Sequence, residues 1–234
     1  MENVAVNPDI GARNYAGELS RVMSKVYSLM FFGLLLTAAA AYITASSETL
    51  VNFFFGNLPV FFGLLIGEVV LVIALSALRN KISSAVAMCG FILYAIVNGI
   101  SLSLVFLYYD MGSIAYSFLV CCATFGIMSF IGFFTKTNLN TFGKYLMMAL
   151  FGVIIAGIVN LFIMNDIFSF LISIVGLAVF IGLTAFHTQK IKNQLMTVSS
   201  DEEFKKVSVF GALTLYLDFI NMFLRILSLM GKKK

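Results

Sequence analysis

Six polar side chains sit where an otherwise apolar chain has least room for them. Residues 211–227 read Gly-Ala-Leu-Thr-Leu-Tyr-Leu-Asp-Phe-Ile-Asn-Met-Phe-Leu-Arg-Ile-Leu, apolar enough to enter a bilayer yet carrying Asp218, Asn221 and Arg225. A charge in hydrocarbon costs about 2.5–3.5 kcal/mol on insertion scales, so such groups turn toward a bundle interior or a wet cavity. Asp218 and Arg225 are seven residues apart, nearly two turns, which puts them on one helix face about 10 Å apart along its axis. Asn221 borders that face. Glu68 lies near the middle of another apolar run, and Arg79 follows three turns later on the same face, at the run's edge. His187 closes a third run, beside Lys190 and Lys192.

The chemistry these groups offer is that of ions and protons. Glu68 and Asp218 are mid-membrane carboxylates, functional candidates by default, and with Asn221 they form a candidate ion pathway. Asp218 is also the one candidate ligand for a metal ion. Arg79 has the simpler reading of a snorkelling anchor, His187 that of an interfacial histidine, and Arg225 that of a partner to Asp218 or to the far interface. No enzyme is expected. A single histidine excludes His-rich zinc sites, and no serine is placed beside His187 to make a nucleophile. Residues 99–103, Gly-Ile-Ser-Leu-Ser, do not form the Gly-x-Ser-x-Gly elbow. Cys89, Cys121 and Cys122 all fall in apolar runs and are expected to pack as small hydrophobes, with no disulfide and no cofactor.

The elements that position these residues follow from composition. Of 234 residues, 61% are hydrophobic and only 11% charged, against about 25% charged in soluble domains. This is the composition of an all-α integral membrane protein whose partner is the lipid bilayer. Apolar runs at 27–46, 58–78, 84–107, 112–134, 144–164, 167–186 and 207–230 each approach the roughly 20 residues a spanning helix needs. Seven transmembrane helices are expected, the seventh central and ringed by the other six. The domains are then a polar arm at 1–26, amphipathic near residues 15–26, a membrane domain at 27–230 and a basic tail at 231–234. The first apolar run is expected to stay as a span, not to be removed as a signal segment.

Orientation comes from the connections. Arg21 and Lys25, Arg79 and Lys81, Lys136 and Lys144, and Lys190, Lys192, Lys205 and Lys206 all fall on one side; the alternate connections hold Glu48, Asp110 and Asp166 with no Lys or Arg. The positive-inside rule makes the N-terminus cytoplasmic. The net charge of +4 reflects this topology and not nucleic-acid binding. Lys232, Lys233 and Lys234 then stand outside if the last helix crosses fully, which is the expectation; the alternative is a re-entrant helix. Ser200 and Glu203 form a capping-box pattern, so the last helix begins before the membrane. Gly152 with Ala156, and Gly126 with Ser129, offer small-residue spacings for close helix contact.

Residues 213–223, Leu-Thr-Leu-Tyr-Leu-Asp-Phe-Ile-Asn-Met-Phe, resemble the signature of the Bax inhibitor-1 family, the transmembrane Bax inhibitor motif proteins, in its bacterial inner-membrane branch. The likeness runs from about residue 15 to 231, and includes residues 182–190 and the positions of Glu68 and Arg79. It implies a central seventh helix and a pH-sensitive calcium leak, in which two aspartates near the cytoplasmic mouth share a proton and an arginine latches the closed state. Asp218 matches the second aspartate and Arg79 the arginine. At the first, this chain has His187, in Phe-His-Thr-Gln-Lys where the family has Tyr-Asp-Thr-Gln-Lys. A His–Asp pair attracts when the imidazole is protonated and loses that attraction as pH rises. Calcium, which prefers several oxygen ligands, is expected to pass less well here.

Three functions follow as expectations. The first is a proton-gated calcium or cation leak, with His187, Asp218 and Arg79 as the pH-sensing gate and Glu68, Asp218 and Asn221 along the ion path. The second is a non-conducting regulator that binds other membrane proteins through residues 1–26 and 187–206. The third is a proton-coupled transporter using Glu68 and Asp218.

Overall fold

A computed structural model describes residues 8–198 and 200–234, with side chains from residue 23 onward. The described chain forms eight helices: α1 (Pro8–Ala45), α2 (Glu48–Phe55), α3 (Leu58–Ala77), α4 (Ser84–Tyr108), α5 (Met111–Phe134), α6 (Asn140–Ile163), α7 (Asp166–Leu195) and α8 (Asp201–Met230). All but α2 are long and apolar enough to cross a membrane. Four of these start at short polar side chains that accept an otherwise orphaned backbone N–H. Ser83 accepts from Val86, Asp110 from Ser113, Asn165 from Phe168, and Ser200 from Glu203. The last of these is the cap expected from the sequence.

Burial is ordered as a membrane demands. The span in α8 is the least apolar of the seven and the most enclosed, 78% of it buried, while the most apolar, α3 and α6, are each 6% buried. Lipid tails are as apolar as leucine, so the greasiest helices gain nothing by hiding. Tyr216, Leu215 and Met222 of α8 are wholly enclosed. α8 packs against α1, α4, α5 and α7; α3 packs on α4 and α2, and α6 on α7. Of the six helices expected around it, four contact α8, while α3 and α6 pack on α4 and α7 instead.

Three boundaries differ from expectation. α1 starts at Pro8 and runs unbroken into its span, so residues 8–26 of the expected arm continue the first helix; residues 1–7, and the side chains through residue 22, lie outside the described residues. α2 fills part of what polarity alone reads as a connection. α7 runs nine residues past 186, because its polar end serves its neighbours. Gln189 accepts from the Leu139 N–H at 2.8 Å and donates to the Thr137 carbonyl at 2.8 Å, and Lys192 donates to the Phe133 carbonyl at 2.6 Å. The N-cap residue of α6, Leu139, has no polar side chain to cap with; Asn138 accepts from the Asn140 N–H at 2.9 Å, and Gln189 takes the Leu139 N–H from across the interface.

α8 is a continuous 30-residue helix, about 45 Å long at 1.5 Å per residue. The tail beyond it pairs with the α4–α5 turn: Asp110 N–H donates to the Lys232 carbonyl at 3.1 Å and Lys234 N–H to the Tyr108 carbonyl at 3.0 Å. That turn lies at the opposite end of α8 from the α7–α8 connection, so α8 runs straight through and does not double back. Close contacts use other glycines than those expected. A Cβ at Gly126 or Gly152 meets nothing within 4 Å, whereas one at Gly99 lies 2.6 Å from the Thr37 carbonyl and one at Gly132 strikes the Ala185 backbone. Cys121 is buried, but Cys89 and Cys122 are exposed on the bundle surface.

Candidate functional site

α7 and α8 are antiparallel neighbours, and the polar residues on their facing sides meet. His187 Nδ1 lies 2.6 Å from Asp218 Oδ2, with the two side chains 14% and 5% exposed. His187 stands two turns inside α7, not at its end, and its ring packs on Phe186 at 5.2 Å between centroids. A neutral imidazole donates one hydrogen bond here; a protonated one adds the attraction of opposite charges in a place where water screens little. Among the described residues this is the one ion pair formed between helices; the other, Lys205 with Asp201, lies within the first turn of α8.

Arg79 does not reach this pair. Its guanidinium donates to Gln194 Oε1 at 3.2 Å and lies over the Phe210 ring, 5.4 Å from the centroid. Partial burial pulls its pKa below the ordinary arginine value, and no carboxylate among the described residues lies within ion-pair distance of it. It clamps the end of α7 to the α3–α4 connection and α8, and the expected Arg79–Asp218 contact is not formed. Asn221 donates to its own helix at Leu217, 2.8 Å away. Arg225 shares Asp218's face as the spacing requires, packing beside Gly176 of α7, but no carboxylate among the described residues lies within ion-pair distance of it.

Glu68 belongs to a second polar cluster on the other flank of α8. Asn98 of α4 donates to Glu68 Oε2 at 3.3 Å and accepts from the Tyr216 hydroxyl at 2.9 Å; that hydroxyl stands 2.6 Å from the Thr37 hydroxyl of α1. Glu68 Oε1 is enclosed without a partner. Tyr216 and Asp218 are two residues apart, about 200° around a helix, so α8 presents one to α1 and α4 and the other to α7. The three expected ion-path residues therefore do not gather into one site. Sequence reading passed over Thr37, Asn98 and Tyr216; an asparagine inside an apolar run was the signal that pointed to the cluster.

The profile of the family described as "Inhibitor of apoptosis-promoting Bax1" matches residues 19–234. The chain belongs to the Bax inhibitor-1 family. It is 39% identical over 231 residues to the inner membrane protein YbhL of Escherichia coli K12, covering 98% of this chain and 96% of that protein. A protein of Borreliella burgdorferi is 40% identical over 216 residues, 92% of this chain and 93% of its own length. One of Rickettsia prowazekii is 40% identical over 218 residues, covering 92% and 91%. Membership and seven long apolar helices make the chain an integral membrane protein.

Within this Bax inhibitor-1 chain, Asp218 does not have the surroundings of a resident calcium ligand. Calcium takes roughly six to eight oxygens, whereas Asp218 contributes one carboxylate, one oxygen of which His187 holds. No three His, Cys, Asp or Glu residues are gathered into a cluster among the described residues.

Proposed function

We propose that this protein is a proton-gated cation leak of the bacterial inner membrane, with its N-terminus and the α7–α8 connection in the cytoplasm and the His187–Asp218 pair as its latch. The observation that carries this reading is the 2.6 Å contact between those two side chains across the α7–α8 interface. With His187 protonated and Asp218 ionised, opposite charges hold the helices together. As pH rises and the imidazole loses its proton, the attraction goes and a single hydrogen bond remains. The closed state is the acid state. Arg79 acts as a positioning residue, holding the end of α7 through Gln194.

Glu68 and Asp218 are the carboxylates at depth and the groups a passing cation would meet, on separate flanks of α8. The resemblance assigns two aspartates to the pH-sensing pair of other members; here an imidazole replaces one, and a protonated His187 repels calcium. Calcium flux is therefore expected to be lower than in a His187→Asp variant, which restores both carboxylates.

The test is flux in proteoliposomes loaded with a calcium-sensitive dye, stepped from about pH 6 to about pH 8, the range in which imidazole changes charge. Flux that rises with pH, and rises further in His187→Asp, supports the leak. Equal flux in both proteins at every pH sinks the role given to His187. No flux from either folded protein favours a non-conducting regulator of other membrane proteins, for which the outer faces of α3 and α6 offer docking area. Proton movement that depends on an added substrate favours a transporter.

A further inference from the structure

We infer that the contact of α3 with α4 is a proton-binding site, in which Glu68 is a neutral carboxylic acid that donates a hydrogen bond to Ser101. Glu68 stands halfway along α3, about 15 Å from either end, and so near the middle of a hydrocarbon layer roughly 30 Å thick. With Asp218 it is one of two acidic residues inside the apolar runs. Its carboxylate turns into the α3–α4 interface. There it accepts from Asn98 at 3.3 Å, the one side-chain hydrogen bond between α3 and another helix among the described residues. The inference goes beyond the leak: it holds whether or not the protein conducts.

Two atoms of this interface are unmet. Glu68 Oε1 and the hydroxyl of Ser101, which stands beside the carboxylate, are both enclosed by protein, and neither has a partner. One proton serves both: an acid O–H at Oε1 donates to the Ser101 oxygen while Oε2 goes on accepting from Asn98. A Ser101 hydroxyl donating to an ionised Oε1 would also join the two atoms, but it leaves a full negative charge at mid-bilayer. No Lys, Arg or His among the described residues lies within ion-pair distance of Glu68, and a buried carboxylate without a counter-charge takes up a proton instead. A metal ion is a poor substitute. The Asn98 oxygen is already held by Tyr216 at 2.9 Å, which leaves Glu68 and Ser101 as the free side-chain oxygens, where calcium takes roughly six to eight. The titratable groups that face Glu68 are the phenols of Tyr94 on α4 and Tyr216 on α8; Glu48, the one titratable residue of α2, stands at that helix's first position. None of them supplies positive charge. A neutral acid draws no cation, so a cation reaches Glu68 only as the proton leaves.

The experiment is infrared spectroscopy of the full chain in proteoliposomes at about pH 7, well above the ordinary carboxyl range near about pH 4, with glutamate carrying carbon-13 in its side-chain carboxyl. A carboxylic-acid carbonyl band is expected in the parent and is displaced by the label, which leaves Asp218 silent. Glu68→Gln, which keeps an acceptor for Asn98 and a donor for Ser101, should lack the band yet unfold at the parent's midpoint. Ser101→Ala should move the band to higher frequency, as the acid loses its acceptor, and Ser101→Thr should leave it in place. A parent with no label-sensitive band at this pH overturns the proposal, and needs no variant to do so. So does a band that Glu68→Gln retains, or one indifferent to Ser101→Ala. A band that appears only when sodium and calcium are withdrawn makes the occupant a cation and overturns it as well. None of these readouts depends on ion flux.

Discussion

The Tyr216 hydroxyl donates to the Asn98 side-chain oxygen at 2.9 Å and so ties the buried centre of α8 to α4. The same hydroxyl stands 2.6 Å from Thr37, drawing in α1. Thr37 keeps contacts of its own with the Gly33 and Ala95 carbonyls, but Asn98 has no other donor to its oxygen among the hydrogen bonds described. Removing the hydroxyl in Tyr216→Phe leaves that oxygen buried and unmet, at a cost of about 1–3 kcal/mol. Thermal unfolding in detergent should show a lower midpoint for Tyr216→Phe than for the parent. An unchanged midpoint means that the hydroxyl does not hold these helices together.

This tie shows where sequence reading runs out. Segment count and helix type were legible because a bilayer demands apolar runs of fixed length, and Asp218 was legible as a residue too costly to leave in lipid; His187 read as an interfacial histidine until the family resemblance set it opposite Asp218. Partner choice was not. Arg79 lies in the α3–α4 connection and Asp218 on α8, and nothing in their spacing shows that Gln194 intercepts the guanidinium. Likewise Gly126 and Gly152 have the same small-residue pattern as Gly99, and only packing separates a lipid-facing glycine from one pressed on a backbone. The extension of α7 past 186 was hidden because His187, Gln189 and Lys192 look like a loop until their partners are known: Asp218 on α8, Thr137 and Leu139 between α5 and α6, and Phe133 on α5.

The proposed His187–Asp218 latch carries a definite sign. A protonated imidazole attracts a carboxylate and a neutral one does not, so α7–α8 closure is expected to be stronger in acid. Spin labels or fluorophores placed on the exposed ends of α7 and α8 should report a separation that grows from about pH 5 to about pH 8. In His187→Gln, which keeps a donor but carries no charge, the separation should be the same at both limits. A variant that still opens with pH removes His187 as the sensor.

Two glycines of similar local sequence should respond oppositely to one added methyl. At Gly132 a Cβ collides with the backbone of Ala185 on α7, which cannot turn aside as a side chain would. Forced overpacking of this kind costs about 1–3 kcal/mol, so Gly132→Ala should lower the unfolding midpoint. Gly152→Ala meets open space and removes a helix-weakening glycine; its midpoint should match or slightly exceed the parent's. Equal losses at the two sites contradict the packing described for α5 on α7.

The path of α8 can be tested by which side of the membrane each of its ends reaches. The three lysines of the tail run against the positive-inside rule, yet their backbone is pinned to the α4–α5 turn, and the Lys234 ammonium donates to the Phe106 carbonyl at 2.7 Å in the last turn of α4. A cation there meets the negative end of the α4 dipole, which offsets part of the cost of exporting positive charge. With Cys89, Cys121 and Cys122 replaced by alanine, cysteines at exposed Thr197 and Lys233 should react with an impermeant maleimide from opposite sides. In intact cells freed of their outer membrane, Lys233→Cys should label at once and Thr197→Cys only after lysis. Labelling of both from one side would mean that α8 turns back within the bilayer, and the tail's contacts with Tyr108 and Asp110 could not form.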